Sequence, residues 1–227
     1  MPVTRIDDKI VRVDAFAKAR GEAQYICDLT LPDMCYAYMI RSSIPRGKIV
    51  SINMPELPEG YFFITSKDIP EGGKNELWMI MKDWRAFADG DVRYVGETIG
   101  LLVGPDRRTL KFLKDRIDIK YEEETPAVSI DDGVNCVGGP IVGDDNVMCS
   151  LYCEKGRDMD EVFAEADEIY EDTIETGFQE HVHLETNSAI VDKEDDKFIV
   201  YSSAQCPFYI SKSVAALITQ PMENIVV

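Results

Sequence analysis

Residues 97–124 form the sequence "ETIGLLVGPDRRTLKFLKDRIDIKYEEE", which predicts a strand, a helix and a second strand in immediate succession. Its start, "ETIGLLVG", is a nearly continuous apolar run, typical of a strand buried on both faces. The next part, "DRRTLKFLKDR", begins at Asp106, a residue type that caps helices, and Leu110, Leu113 and Ile117 recur at helical spacing. "IDIKYEEE" then alternates as a strand. The stretch therefore predicts a compact α/β unit whose helix packs on its sheet.

Two further strands are predicted upstream of this unit. The run "MCYAYMIRSSIPRGKIVSINM", from Met34 to Met54, contains two strand-like stretches separated by a turn with Pro45 and Gly47. Residues 71–76, "EGGKNE", are polar and glycine-rich, which is typical of a surface loop. The sequence thus predicts a first domain over residues 1–124 that contains both helix and sheet.

The composition changes after this domain. From Thr125 to Arg157 the chain is rich in Gly, Pro, Asp and Asn, which predicts a linker over residues 125–157. A second domain is predicted over residues 158–227. It opens with a short helix, because Asp158 and Glu161 have the spacing of a capping box.

The rest of the second domain is predicted to combine strands with one longer helix. The runs "EIYEDTIETG", "NSAIVD" and "KFIVYSS" each suit a strand, and the final "NIVV" suits another. Pro207 opens a helix whose apolar residues recur at helical spacing, and Pro221 marks its end. These apolar residues are Ile210, Val214, Leu217 and Ile218.

Charge and length exclude several classes of partner. The 227 residues include 42 Asp and Glu against 24 Lys and Arg, a formal net charge of −18. A field of this sign repels nucleic acid and anionic lipid. No apolar run approaches the roughly 20 residues that span a bilayer, and the start "MPVTRIDDKIVRVD" lacks the apolar stretch of a signal peptide. We therefore predict a cytoplasmic protein that binds neither nucleic acid nor membrane.

The cysteines indicate no metal cluster. The six cysteines are scattered without a C-x-x-C pair, so the sequence predicts neither a zinc ribbon nor a ferredoxin-type iron–sulfur cluster. Reduced and mostly buried thiols are the expectation for a cytosolic chain.

Residues 178–186, "FQEHVHLET", contain both histidines of the chain. If this segment is a strand, His181, His183 and Glu185 lie on one face, because successive side chains alternate between two faces. Two imidazoles and a carboxylate resemble the ligands of a non-haem iron or zinc site. The alternative is a strand whose histidines form hydrogen bonds in the protein interior. The residues alone leave both interpretations open.

Five phrases follow one another along the chain: "RVDAFAKARGEAQYICDLTLPDMCYAYMIRS", "FADGDVRYVGETIGLLVG", "IDIKYEEETPAV", "FQEHVHLET" and "YSSAQCPF". In content and order they resemble the molybdenum-binding subunit of the xanthine dehydrogenase and aldehyde oxidase family. The resemblance covers the chain from about Arg12 to Val227. It implies a mixed α+β fold, in which an α/β hammerhead domain is followed by the beginning of a molybdopterin-binding domain that is incomplete here.

The resemblance bears directly on the histidines. Molybdenum in the family is held by a dithiolene of the pterin, which implies that His181 and His183 bind no metal and that this chain supplies no metal ligand. Glu180 and Glu185 lie beside them, but a chain with 42 acidic residues offers too many such carboxylates for proximity in sequence to indicate a base.

One cofactor-binding residue is implied. Gln205, in "SSAQCP", corresponds to a family glutamine whose amide lies beside the molybdenum. An amide both donates and accepts hydrogen bonds, which suits a group that faces a metal-bound ligand and a substrate. The chain differs from the family's usual pattern at the two neighbouring positions, Ala204 and Cys206.

The implied activity is hydroxylation of an electron-poor carbon in a purine, another N-heterocycle or an aldehyde, with xanthine as the first candidate and nicotinate also open. The cofactor would be molybdenum–molybdopterin, and electrons would pass to 2Fe-2S and FAD groups on partner subunits or domains. The family's base and glycine-rich segment have no match in these residues. The resemblance therefore implies no catalytic residue in this chain, no activity of the chain alone, and an oligomeric assembly with the remainder of the molybdenum subunit. Either a shortened chain or one product of a split gene fits, and the alternative is a non-catalytic docking module.

Overall fold

The structure, a computed structural model, describes residues 12–79 and 81–227. The helices of the described residues are α1 (Ala15–Arg20), α2 (Arg107–Lys114), α3 (Ile130–Val134), α4 (Met159–Glu165) and α5 (Pro207–Leu217). Their strands are β1 (Tyr36–Arg41), β2 (Gly47–Asn53), β3 (Phe62–Ile64), β4 (Asp91–Val92), β5 (Thr98–Gly104), β6 (Asp118–Glu123), β7 (Ala189–Glu194), β8 (Lys197–Ser202) and β9 (Ile225–Val226).

The strands form three small sheets, ordered β1–β5–β3, β4–β2–β6 and β7–β8–β9. All pairs are antiparallel except β8 and β9, which are parallel. β1 and β2 follow each other in sequence but do not pair, because the turn at Pro45 carries the chain from the first sheet to the second. The two predicted strands of this region are confirmed, and they serve different sheets.

Helix α2 packs on the first sheet as its spacing predicts. The Asp106 carboxylate accepts a hydrogen bond from the Thr109 amide at 2.8 Å and so caps the helix. Leu110 and Leu113 are buried against Leu102 of the central strand β5, and Ile117, just beyond the helix, packs beside them. The predicted strand–helix–strand unit of residues 97–124 is therefore confirmed.

A buried ion pair lies beside the second core cluster, which consists of Ala88, Val92 and Ile99. The Glu97 carboxylate accepts two hydrogen bonds from the Arg85 guanidinium, at 2.8 and 3.1 Å, and a third from the Arg93 amide at 2.7 Å.

Arg85 extends this network to a second carboxylate. Its guanidinium also donates to the Asp91 carboxylate, at 2.6 Å. Burial alone would raise the pKa of Asp91, but the hydrogen bonds and charges of Arg85 and Arg93 outweigh it, and this pKa lies below its usual value. Four hydrogen bonds from the Arg85 guanidinium, one of them to the Asp91 carbonyl at 3.1 Å, thus hold it between the two carboxylates.

The second sheet-and-helix unit is formed by β7, β8, β9 and α5. Val200, Ala215 and Ile225 form its buried cluster. The predicted strands "NSAIVD", "KFIVYSS" and "NIVV" are confirmed. Helix α5 begins at Pro207 as predicted, but its last residue is Leu217, four residues before Pro221. Pro221 instead starts the short 3-10 turn Met222–Asn224.

Residues 147–188 differ most from the predictions. The strand predicted in "EIYEDTIETG" is wrong, since this run is irregular and exposed. "FQEHVHLET" is likewise irregular, and it is exposed except at the half-buried Glu185. Neither run pairs with another strand among the described residues, and a strand without a partner gains no ladder hydrogen bonds. Helix α4 is confirmed, with the Asp158 carboxylate accepting bonds from the amides of Asp160 and Glu161, but it buries no residue.

The thiols were predicted to be mostly buried, and this is wrong. All six cysteines are free and five are exposed, because they lie in turns, irregular segments and the N-cap of α5. The expectations for residues 1–11, including the start without a signal peptide, lie outside the described residues. Within the part of the chain that the structure describes, no helix is long and apolar enough to cross a bilayer.

Candidate functional site

Gln205 lies in the turn that connects β8 to α5. β8 ends at Ser202, one residue before the end of the predicted strand "KFIVYSS", and α5 begins at Pro207 as predicted. Pro207 occupies the first helical position, where its fixed φ angle suits the helix and its missing N–H costs nothing. Gln205 is exposed, and its amide forms no hydrogen bond to another residue that the structure describes. The turn therefore presents a free amide at the start of α5.

The N-terminus of α5 adds donors beside this amide. Its N-cap, Cys206, forms no side-chain capping bond, and the first turn contains no acidic residue. The first amides of a helix lack intrahelical acceptors and carry partial positive charge. Pro207 has no N–H and the Tyr209 amide already donates to the Cys206 carbonyl at 3.1 Å, so Gln205 and the remaining amides of this first turn offer a few hydrogen-bond donors and one acceptor to a polar or anionic group.

Helix α5 is held in place by a loop of the first domain. The Lys74 amide donates to the Ala216 carbonyl at 3.0 Å, and the Trp78 amide donates to the Ser213 Oγ at 2.8 Å. A side chain at Gly73 would collide with the carbonyl oxygen of Leu217. The loop predicted at 71–76 is thus confirmed as a turn, but part of it is covered by α5. This contact orients the helix that follows Gln205.

The Trp78 ring contributes a second link across this contact. The Lys212 ammonium, on α5, lies 3.2 Å from the ring centroid, and the Lys82 ammonium lies 4.5 Å from it. Such cation–π contacts favour one orientation of ring and lysine. Sequence reasoning missed this contact, and the second glycine of "EGGKNE" was the only local signal of a close approach.

Replacing Ser213 by alanine is expected to lower the free energy of unfolding by about 1–2 kcal/mol, because it leaves the half-buried Trp78 amide without its acceptor. Ser211→Ala is the matched control. Both serines are buried, Ser213 at 8% and Ser211 at 7% exposure, but among the described residues the Ser211 hydroxyl bonds to Pro207 of its own helix and not to the loop. Urea titrations compare the two variants, and tryptophan fluorescence in a Trp84→Phe background reports the Trp78 environment. Equal losses for the two serines would contradict a special role for this contact.

The two histidines lie together but not in a strand. Their rings stack with centroids 5.3 Å apart and an interplanar angle of 16°, and both are exposed. Val182 between them has a φ of 49°, which breaks the extended backbone. Neither histidine therefore has the interior position expected of a strand residue, and the face shared by His181, His183 and Glu185 is not formed by strand geometry.

Glu185 has a different partner. Its carboxylate accepts a hydrogen bond from the Ile26 amide at 3.1 Å and lines a pocket with the segment around α1. Within residues 12–79 and 81–227, no group of three His, Cys, Asp or Glu side chains is arranged to hold a metal ion. The structure thus brings Glu185 to the first domain rather than into a set of metal ligands.

Comparison with known proteins gives the family. Residues 20–125 match "Aldehyde oxidase and xanthine dehydrogenase, a/b hammerhead domain", and residues 142–227 match "Molybdopterin cofactor-binding domain". The chain belongs to the xanthine dehydrogenase and aldehyde oxidase family. The α+β fold with a hammerhead domain and a molybdopterin-binding region is thereby confirmed. Gln205 and α5 lie within the second matched region.

Individual relatives are considerably longer than this chain. A probable xanthine dehydrogenase subunit of Bacillus subtilis (strain 168) is 28% identical over 95% of the chain, which spans 29% of that protein. The "Nicotinate dehydrogenase large molybdopterin subunit" of Eubacterium barkeri is 28% identical over 95% of the chain, which spans 51% of that protein. The solved aldehyde oxidoreductase of Desulfovibrio gigas has a TM-score of 0.79 at 22% identity, over 94% of this chain and 25% of that one.

Proposed function

We propose that the chain is part of a molybdenum hydroxylase subunit and that Gln205 contacts the molybdenum–pterin cofactor. The observation that carries the proposal is the free amide of Gln205 at the uncapped start of α5, inside the region matched by the molybdopterin cofactor-binding domain. When bound, the cofactor supplies the two-electron oxidation chemistry of such an enzyme.

The residues present fit this cofactor in their chemistry. The Gln205 amide donates and accepts, and the amides of the first turn of α5 other than Pro207 and Tyr209 can donate, so together they suit an anionic group rich in oxygen. Their own role is to bind and orient. The contact of Trp78 with Ser213 holds α5 and so limits the movement of the turn that precedes it. A preorganised donor at a reacting centre loses little energy to rearrangement during the reaction.

The names of the relatives support a proposal for the class of substrate but not for a single compound. Relatives are named for xanthine, nicotinate and aldehyde oxidation, so the proposal is an electron-poor carbon of an N-heterocycle or an aldehyde. We also propose that 2Fe-2S and FAD partners accept the electrons and that the isolated chain turns over no substrate. A cytoplasmic location and the boundaries 1–124, 125–157 and 158–227 stay predictions.

Gln205→Ala is expected to lower turnover about 100-fold in an enzyme assembled with the rest of the subunit, since one positioned polar group at a reacting centre contributes ~3 kcal/mol to the barrier. The exposed neighbour Ser203→Ala is the matched control and is expected to keep its turnover. Both variants are checked for folded yield and for molybdenum content per chain. Unchanged turnover of Gln205→Ala would remove this residue from the site.

A second candidate function is a docking module without chemistry of its own. It is favoured by the many large apolar side chains that residues 147–188 expose. The molybdenum content of the assembled protein separates the two candidates. A docking module carries no molybdenum, whether residue 205 is glutamine or alanine, and it assembles with its partners equally well in both forms.

A further inference from the structure

Residues 74–78 hold the C-terminal half of α5 through their backbone. The Lys74 amide donates to the Ala216 carbonyl at 3.0 Å, which gives a donor to one of the last carbonyls of the helix. These carbonyls have no donor within a helix. The Trp78 amide donates to the Ser213 Oγ at 2.8 Å, one turn earlier. The position of residues 74–78 therefore fixes this end of α5.

Residues 74–78 are in turn fixed to the first domain by the side chain of Asn75. Its Nδ2 donates to the Phe87 carbonyl at 2.7 Å, and its Oδ1 accepts from the Phe87 amide at 2.9 Å. A side-chain amide thus forms the pair of bonds that a residue of an antiparallel strand forms with its opposite residue. The Leu77 amide adds a bond to the Trp84 carbonyl at 2.8 Å. Asn75 is half-buried, so the pair with Phe87 is partly shielded from water.

Phe87 is a firm anchor for this pair. It is 8% exposed, and the next residue, Ala88, is 4% exposed. The Ala88 amide donates to the Thr98 carbonyl of β5 at 2.7 Å. Two positions before Phe87, the Arg85 guanidinium is held by two carboxylates. Asn75 therefore links the support of α5 to the core of the first domain and not to a surface turn.

The length of α5 turns a small change of its angle into a large shift at Gln205. Gln205 precedes Ser213 by eight positions, which correspond to about 12 Å at 1.5 Å per residue. A tilt of about 5° at the Ser213 end would then move the turn by about 1 Å, and a misplacement of about 1 Å can lower a rate ~100-fold. The first turn of the helix is open to such movement, since Phe208 is 77% and Tyr209 40% exposed.

We propose that Asn75 is a positioning residue for Gln205. By closing residues 74–78 onto Phe87, it sets the angle of α5 and thereby the place of the Gln205 amide. Asn75 acts through the backbone of residues 74–78 and through α5, and it adds no group of its own to the site. This inference rests on the proposed contact of Gln205 with the cofactor.

The test measures turnover per bound molybdenum in the enzyme assembled with the rest of the subunit, for Asn75→Ala, Gln205→Ala and the double variant. Asn75→Ala is expected to lower turnover about tenfold, because the amide of Gln205 is misplaced. In the Gln205→Ala background the same change is expected to cost less than about twofold, since the group that Asn75 positions is already gone. A residue that only stabilises the fold lowers turnover by the same factor in both backgrounds.

Hydrogen exchange of the Lys74 and Trp78 amides in the 227-residue chain provides a second measurement. Asn75→Ala is expected to speed this exchange about tenfold, because the segment opens locally more often. Asn53→Ala is the matched control, since the Asn53 side chain donates to the exposed Asp118 carboxylate on another sheet. It is expected to change neither exchange nor turnover. If Asn75→Ala yields no folded chain, Asn75→Asp replaces it with the same expectations, because aspartate keeps the acceptor but loses the donor.

Equal losses of turnover in the two backgrounds overturn the proposal, as does unchanged exchange of the Lys74 and Trp78 amides. Full turnover of Asn75→Ala beside a loss in Gln205→Ala overturns this inference and leaves the cofactor contact standing. Full turnover of Gln205→Ala removes the cofactor contact itself, and the inference falls with it.

Discussion

Replacing Glu97 by alanine is expected to lower the free energy of unfolding by about 3–5 kcal/mol, because it leaves a largely buried guanidinium without its main partner. The Glu97 side chain is 3% exposed and that of Arg85 is 14% exposed. The variant also removes the acceptor of the Arg93 amide. Urea unfolding followed by circular dichroism measures the loss.

An exposed ion pair provides the control. Glu122 lies 3.8 Å from the Lys48 ammonium, and both side chains are more than half exposed. Glu122→Ala is expected to cost less than about 1 kcal/mol, since solvent screens such pairs. The double variant Arg85→Met/Glu97→Leu should lose less stability than the Arg85→Met and Glu97→Leu variants lose in sum. The reason is that the double variant removes both charges, so that neither is left buried without the other. A Glu97→Ala loss no larger than that of Glu122→Ala would show that the buried pair contributes little.

The burial of Glu97 could not be predicted from the sequence. The strand β5 and the helix α2 were predictable because apolar runs, capping residues and helical spacing are local patterns. Glu97 stands at the start of the same quoted stretch, yet its burial depends on Arg85, twelve residues earlier, and on the second sheet. Nothing in the pattern of one strand indicates that a carboxylate at its edge is enclosed.

The wrong strand at residues 168–177 has a related cause. Its residues suited a strand, but residue types do not show whether a neighbouring strand is present to pair with its hydrogen-bonding edges. A helix satisfies its own backbone, whereas a strand needs a neighbour. For "FQEHVHLET" the positive φ of Val182 adds a local break that the residue type does not predict.

The sequence predicted the position of the candidate site, but not the contacts that hold it in place. The turn around Gln205 followed from the local pattern of strand and helix, whereas the role of this residue came from the family resemblance and stays a proposal. The link between Trp78 and Ser213 joins residues that are 135 positions apart, so no local pattern could indicate it. It depends on the packing of a first-domain loop against α5, which is a property of the folded chain.

Leu102→Ala is expected to cost about 3–5 kcal/mol of the free energy of unfolding, the range observed when a fully buried leucine leaves a cavity. Leu102 is 0% exposed and lies in β5, the central strand of its sheet. It packs in one cluster with Ile40 of β1 and with Leu110 and Leu113 of α2. Neighbours on both sheet edges and on the helix prevent the site from collapsing around the missing side chain.

The matched control is the adjacent Leu101→Ala. Leu101 belongs to the same strand, but its side chain points to the opposite face and is only partly buried. We expect this variant to cost less than half as much in the same urea titration, with an unchanged slope of free energy against urea concentration. Similar losses for the two leucines would mean that strand pairing, and not the packing of α2 on the sheet, determines the stability of this domain. A double variant with Leu110→Ala separates these causes, because residues that share one cavity give a combined loss that departs from the sum.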